Sequence, residues 1–223
     1  MSGAGGSGDA DDGDGLPVVE PPFADADEPA ADPSRVAGVV LAAGTSSRFG
    51  DRNKLLATQG GEPIVRRAVR TLLATRLDPV VVVVGHEADR VAGALDGLDV
   101  ELVRNDAYAE GQATSVRAAI AALRDRDVDA ALIALGDMPF VDETTIETLL
   151  DAYEAGVGSA LAAAHEGRRG NPVLFDRRHF PALRDVDGDV GGRDILLEGD
   201  DGACVAVDDP GVRRDVDEPD DLG

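Results

Sequence analysis

The 223-residue sequence predicts an α/β fold, a three-layer sandwich with helices on both faces of a mostly parallel sheet. Three observations predict it. Short apolar runs rich in β-branched residues recur along the chain. Segments with apolar residues at helical spacing separate them. Each run stops at a glycine or a polar turn. Strands alternating with helices in this way imply right-handed βαβ units, whose parallel strands are buried on both faces. Hydrophobic residues make up 43% of the chain, enough for a substantial core.

The elements follow in order. Val36 to Ala43 is a β-branched run ending at Gly44 and reads as a buried strand. Residues 44–54 form a polar loop punctuated by glycine. From Glu62 to Arg76, Ile64, Val65, Ala68, Val69, Leu72 and Leu73 share one helical face. Five consecutive valines, Val80 to Val84, give a strand buried on both sides. A helix over 87–95, a short strand over Val100–Val103 and a helix from Gly111 to Arg124 come next. Ala130 to Leu135 is another buried strand. Asp142 to Tyr153 is a helix with Asp142 as N-cap and acids in its first turn. The last third mixes strands near 158–164, 172–175 and 203–207 with helices near 177–183 and 192–198.

Residues 1–34 stand apart as an expected disordered acidic tail, with the folded domain over 35–223. The tail holds nine acids and five prolines and has no basic residue. Such a segment cannot offset its ordering entropy by burial. Gly3 to Gly8 satisfies G-x-G-x-x-G, but without a strand before it or a helix after it the match carries no dinucleotide site.

The net charge of −23 excludes a broad nucleic-acid-binding face, because phosphate repulsion acts everywhere. No apolar run approaches the ~18 residues of a membrane span. The N-terminus lacks the basic and apolar segments of a signal peptide, so a cytoplasmic protein is expected. Cys204 is the only cysteine and reads as a small buried hydrophobe. His86, His165 and His179 lack paired-ligand spacing, which argues against catalytic zinc. Asp185 to Asp189 hints at a calcium loop, but Val190 and Leu196 stand where the loop requires Gly and Glu. Twenty of the 21 basic residues are arginines; the remaining one is Lys54. Few lysines and many carboxylates suggest adaptation to high salt, a halophilic composition. A lone Asp therefore says little here, and a lone Lys says more.

In folds of this class ligands bind beyond the carboxyl ends of the strands. That rule selects the loop after Ala43, the Gly85-His86 turn and the segment Gly136-Asp137-Met138-Pro139. The first is the most informative. Arg48, Arg52 and Lys54 fall within seven residues against the single acid Asp51. Glycine and small polar residues there let backbone N–H groups turn toward an anion. A local positive site in an anionic protein suits a polyphosphate, although an ordinary surface loop with incidental bases has the same composition. No Gly-Lys-Ser/Thr closes it, so it is not a Walker A loop.

Leu41-Ala42-Ala43-Gly44, then Arg48, then Lys54-Leu55-Leu56 resembles the signature loop of nucleotidyltransferases of the molybdenum cofactor family, in its cytidylyltransferase branch. Gly111 to Arg117 is similar to that family's Gly-x-x-x-Ser-Leu-Arg helix start. Leu135 to Pro139 matches its metal-binding turn, and Arg169-Gly170-Asn171-Pro172-Val173 its Arg-Gly-Asn-Pro motif. Gly188 to Arg193 resembles Gly-Asp-x-Gly-Ala-Arg, with Gly192 in place of Ala. Asp215 to Leu222 resembles Asp-Ile-Asp-Thr-Pro-Glu-Asp-Leu. Six motifs in order span residues 36–222 and imply a Rossmann-like sandwich of the nucleotide-diphospho-sugar transferase type.

The resemblance implies transfer of CMP from CTP to the phosphate of molybdopterin, with release of pyrophosphate. Arg48 would take the β- and γ-phosphates in a bidentate fork, and Lys54 would neutralise charge at the α-phosphate. Asp137 ends a buried strand, where a carboxylate is costly unless solvated, paired or bound to a cation. It is the expected catalytic ligand of Mg2+, with Asp217 as the second ligand and Asp215 as a third. Asp217-Glu218-Pro219 equally reads as the start of a terminal helix. Leu41, Ala42, Ala43, Gly44, Thr45, Gly85, Gly111, Ser115 and Gly136 would contact the nucleotide. Gly111 and Ser115 also read as ordinary first-turn residues. Arg169, Asn171 and Arg193 would hold the acceptor, with Pro172 fixing the chain after Asn171. The two arginines equally suit pairing with surface carboxylates. A molybdenum hydroxylase would receive the product. Two alternatives remain open. One is a GTP- or other NTP-dependent transferase with a different phosphate acceptor. The other is a non-catalytic protein, a molybdenum cofactor carrier or a reductase-like relative of the same fold.

Overall fold

The computed structural model describes residues 15–23, 33–45, 49, 53–186, 192–199 and 201–222. Its strands in chain order are β1 (Val18–Val19), β2 (Val36–Ala42), β3 (Thr58–Gln59), β4 (Glu62–Pro63), β5 (Val80–Val84), β6 (Glu101–Arg104), β7 (Ala130–Leu135), β8 (Ala160–His165), β9 (Arg168–Asp176) and β10 (Gly202–Ala206). The α-helices are α1 (Ile64–Leu73), α2 (Ala88–Ala94), α3 (Gln112–Ala122), α4 (Glu143–Glu154), α5 (Phe180–Asp185) and α6 (Arg193–Glu198). Among the described residues one sheet of eight strands runs in the order β1-β10-β8-β9-β7-β2-β5-β6. All neighbours pair parallel except β9, which is antiparallel to both β7 and β8.

The period of two along the central strands builds the three layers. Val80, Val82 and Val84 pack with α1, α2 and α4 through Val69, Val91 and Ile146. Val81 and Val83 face the opposite side, with Val116 and Ile120 of α3, Leu183 of α5 and Leu196 of α6. The all-valine strand has no polar face because both of its faces are covered. No helix of the described residues is long and apolar enough to cross a membrane.

Three differences from the sequence reading have local causes. The helix expected from Glu62 starts at Ile64, because Glu62–Pro63 pairs with Thr58–Gln59 around Gly60 and Gly61. Both glycines have positive φ, +60° and +87°, as a two-residue hairpin of the Gly-Gly kind requires. The strand expected over 172–175 begins at Arg168, because a tight turn at Glu166 and Gly167 returns the chain from β8 into β9. The tail is the third difference. Disorder was expected throughout 1–34, yet Val18 and Val19 pair with Cys204 and Val205 at the sheet edge. Cys204 N–H donates to the Pro17 carbonyl at 2.8 Å, and Leu16 packs under the sheet. An open parallel edge can recruit even a short apolar pair; residues 1–14 and 24–32 of that tail lie outside the described residues.

At the amino end of the strands, Ser159 donates to Asp201 Oδ2 at 3.1 Å and meets His179 Nε2 at 2.9 Å. Burial holds the His179 imidazole below its ordinary pKa, with Arg178 on the same side of the balance and Asp176 and Asp201 opposing. The unfolded chain therefore binds this proton first, and stability present above pH ~6.5 is lost as pH falls below it. His179→Gln is expected to flatten the fall in melting temperature between about pH 7 and pH 5. Equal slopes for the two proteins would refute this.

Candidate active site

The carboxyl ends of β2, β6 and β7 open onto a cavity of about 560 Å3. Its wall begins on β2, whose carbonyl ends hold the neighbouring turns: Gly136 N–H donates to Leu41 O at 2.9 Å and His86 N–H to Ala43 O at 3.2 Å. Leu41, Ala43, Gly44 and Thr45 line it from this side. A single 3-10 turn, Lys54–Leu56, closes the next side. Asn53 caps that turn by accepting from Leu55 N–H at 3.1 Å, which fixes where Lys54 begins.

The far wall is the loop after β6 and the start of α3: Tyr108, Ala109, Glu110, Gly111, Gln112 and Ser115. Gly111 precedes α3 with φ +116°, a value that glycine tolerates, and no side chain caps the helix. Thr114 N–H turns back to the Gly111 carbonyl at 3.2 Å, and the N–H groups ahead of it stand at the open end of the helix, the kind of end that takes an anion or water. Asn105, 5% exposed, ties this loop to the helix by donating to Thr114 Oγ1 at 2.8 Å and Ser115 Oγ at 3.0 Å.

Acid and base meet on the third side. Lys54 Nζ lies 2.7 Å from Asp137 Oδ2 and 2.8 Å from Asp217 Oδ1. Asp137, Asp215 and Asp217 bring one carboxylate oxygen each within 4.8 Å of one another. Burial disfavours the Lys54 ammonium, but Asp137 and Asp217 together outweigh it and raise the lysine above its ordinary pKa. Asp215 is pushed up by desolvation and by the charges of Asp217 and Asp137. Two carboxylates share one ammonium and a third stands beside them, an arrangement with surplus negative charge. Hard oxygen donors of this kind fit Mg2+ or Mn2+, which bind through one or two carboxylates with phosphate oxygens and water.

Most of the expected nucleotide contacts come together. Leu41, Ala43, Gly44, Thr45, Lys54, Gly111, Ser115, Asp137 and Asp217 all line the cavity. Ala42, Gly85 and Gly136 are not in its wall. Ala42 points into the core beneath, by the alternation of the strand. A Cβ on Gly85 would meet Tyr108 Cβ at 2.7 Å and Ala43 Cβ at 2.8 Å, so that glycine lets the Tyr108 loop close onto the strand end. Gly136 likewise sits 3.1 Å from Leu41 O at its virtual Cβ and spaces Asp137 from β2. Arg48 lies outside the described residues, as do Arg52 and Asp187 to Val190. Arg169 and Asn171 open β9 at the same sheet end as Asp137, since β9 runs antiparallel to β7 and Ala164 pairs with Arg169. Arg193 is exposed at the start of α6. None of these three reaches the cavity wall.

The alternative reading of Asp217-Glu218-Pro219 as the start of a terminal helix is met in part: a short 3-10 helix does run over Pro219–Leu222. The backbone N–H groups of Asp217 and Glu218 both donate to Asp221 Oδ2, at 2.9 and 2.7 Å, so Asp221 braces that turn. The Asp217 carboxylate faces Lys54 instead. The expected N-cap Asp142 does precede α4, but its side chain makes no cap bond. Sequence reasoning missed Asn105, Tyr108 and Glu110. The strand-end rule pointed to them, because they follow β6 as Gly44 follows β2, yet it was applied to three strands only.

A family model described as the MobA-like NTP transferase domain matches residues 38–203. Nicotine blue oxidoreductase of Paenarthrobacter nicotinovorans is 32% identical over 169 residues, covering 73% of this chain and 82% of that protein. The crystal structure of a Mycobacterium tuberculosis Rv0371c homologue from Mycobacterium sp. strain JC1 superposes with a TM-score of 0.72 at 30% identity, over 85% of this chain and 94% of that one. The Mycobacterium tuberculosis Rv0371c structure in complex with manganese is 28% identical, with a TM-score of 0.69 over 84% of this chain and 96% of that one.

Proposed function

Because the chain belongs to the MobA-like NTP transferase family and is a nucleotidyltransferase, we propose that it transfers CMP from CTP to the phosphate of molybdopterin with the help of Mg2+. The observation that carries this reading is the position of Lys54 between Asp137 and Asp217 at the mouth of the strand-end cavity. An acceptor phosphate oxygen attacks the α-phosphorus, the bond to the bridging oxygen breaks, and pyrophosphate leaves with that electron pair. A phosphate monoester is already largely ionised near neutral pH, so the attack needs no general base from the protein. The barrier is one of charge and alignment between two anions.

Each residue then has a physical task. Lys54 turns its ammonium toward the α-phosphate and offsets the charge that builds there. Arg48 takes the leaving pyrophosphate in the role the motif resemblance gives it. Asp137 and Asp217, with Asp215 beside them, would hold a divalent cation, which supplies charge neutralisation at the phosphates when bound. The manganese in the Rv0371c structure supports a divalent cation for this fold. Leu41 to Thr45 and the start of α3 enclose the nucleoside through backbone groups. Arg169, Asn171 and Arg193 are assigned to the acceptor on the resemblance of their motifs, and a molybdenum hydroxylase is the recipient of the product.

The test is pyrophosphate release from CTP, GTP and ATP, with molybdopterin as acceptor and Mg2+ or Mn2+ present, in concentrated potassium chloride. CTP is expected to react fastest by at least tenfold. A preference for GTP or ATP would correct the donor, and no release from any nucleotide would remove the reading. A second reading has one observation behind it: a relative matched over 82% of its length is named an oxidoreductase. Oxidation of NADH or NADPH by an added quinonoid dye, unaffected by Lys54→Met, would favour it.

A further inference from the structure

We propose that Asp209 is a positioning residue for the cation site: it clamps the segment carrying Asp215 and Asp217 onto the turn carrying Asp137. The proposal rests on the reading of those three carboxylates as cation ligands. Asp209 is only 4% exposed. A carboxylate so deeply buried is costly unless donors surround it, and three do. Oδ2 accepts from Asp142 N–H at 2.9 Å and from Thr145 Oγ1 at 2.7 Å, and Oδ1 accepts from Gly211 N–H at 2.8 Å. The first two bonds are a helix cap supplied from another segment. Asp142 stands at the N-cap of α4 without using its own side chain, and Asp209 accepts from its backbone N–H, as the third helical residue does in a capping box, beside the positive end of the helix.

The clamp lies at one end of a longer seam. Gly211 abuts the Phe140 carbonyl so closely that any Cβ would overlap it. The Arg214 guanidinium stacks on the Phe140 ring, 3.8 Å from its centroid. Val216 N–H donates to the Asp137 carbonyl at 2.9 Å, and its side chain is fully buried with Phe49 and Ile64. Asp215 and Asp217 flank that buried valine, so the register of the seam decides where both carboxylates stand relative to Asp137. Asp209 fixes the register from the end away from the cation, five residues or more from any ligand in sequence.

Mn2+ titration of the full chain by electron paramagnetic resonance, well below each variant's melting temperature, tests this. Asp209→Ala is expected to weaken Mn2+ binding about 10- to 100-fold, the range seen when groups that orient metal ligands are removed. Asp209→Asn keeps an acceptor oxygen and is expected to recover part of the loss. In the transfer reaction the metal concentration for half-maximal rate should rise more than kcat falls. Ser159→Ala, at the opposite end of the sheet, controls for stability: it should lower the melting temperature and leave Mn2+ affinity unchanged. If Asp209→Ala fails to fold, Asp209→Asn and Thr145→Val carry the same comparison, and each should still weaken Mn2+ binding. Wild-type affinity in the folded Asp209 variants would overturn the proposal and leave the carboxylate reading intact. A wild-type chain with no Mn2+ site would overturn that reading itself.

Discussion

Lys54→Met is expected to stop turnover and, at the same time, to tighten Mn2+ binding to the nucleotide-free protein. The two effects have opposite signs because the proposed reaction gives Lys54 two partners at different stages. Without nucleotide its ammonium lies within 2.8 Å of both Asp137 and Asp217 and occupies the oxygens a divalent cation needs. Removing the ammonium removes that competitor, so affinity for Mn2+ should rise severalfold. With nucleotide bound, the α-phosphate would give the ammonium a new anion. A preorganised charge at the reacting phosphorus is worth about 10²- to 10³-fold in rate, and methionine supplies none. Lys54→Arg should restore little, since a planar fork cannot take the place of a point charge between two carboxylates. Electron paramagnetic titration and single-turnover pyrophosphate release read the two effects separately. Weaker Mn2+ binding in Lys54→Met, or turnover within threefold of wild type, would refute the double role.

The pH dependence follows from the same contacts. Asp137 and Asp217 hold the Lys54 pKa above its ordinary value near 10.5. The lysine therefore stays charged in both folded and unfolded chains at neutral pH. Its stabilising contribution is present below pH ~10.5 and is lost only above it, as pH rises through the raised value. Between pH 6 and pH 9 neither stability nor rate should show a step from this group.

The sequence reading succeeded where one residue type stood against its background. Lys54 is a single lysine in a chain rich in carboxylates, and it lies between two of them, Asp137 and Asp217. The five valines of β5 declared a strand covered on both faces, and the alternation of their contacts between two cores agrees. Asp137 stood out because an apolar strand runs straight into it. What escaped the reading depended on contacts distant in sequence. The direction of the Asp217 carboxylate depended on Lys54, 163 residues away in sequence, while Asp221 takes the backbone donors of that turn. The anchoring of Val18 depended on an open edge supplied by residues near 204. Asp209, one carboxylate among 44 acidic side chains, had nothing local to mark it; only its donors on α4 do so.

Asp137→Asn is expected to have the largest effect of the three carboxylate replacements. Asp215 and Asp217 sit on a segment held to the domain by a seam, whereas Asp137 follows directly from β7 and its own carbonyl receives the seam's last bond from Val216. Asp137 is the fixed point against which the other two are placed. Asparagine keeps the shape and one acceptor oxygen but removes the charge. Cation affinity should therefore fall about 10- to 100-fold, and turnover at moderate Mg2+ should fall at least as far. Asp215→Asn should cost much less, because Asp215 is raised by desolvation and then by the charges of Asp217 and Asp137, and its neutralisation relieves part of that repulsion. The pair Lys54→Met and Asp137→Asn shares one contact, so their effects on Mn2+ affinity should not add. Once Asp137 has lost its charge, Lys54 competes mainly through Asp217, and its removal should tighten the cation less than it does in the wild type. Strict additivity in that cycle, or an Asp215→Asn variant more damaged than Asp137→Asn, would mean that the cation is centred elsewhere than on the strand end.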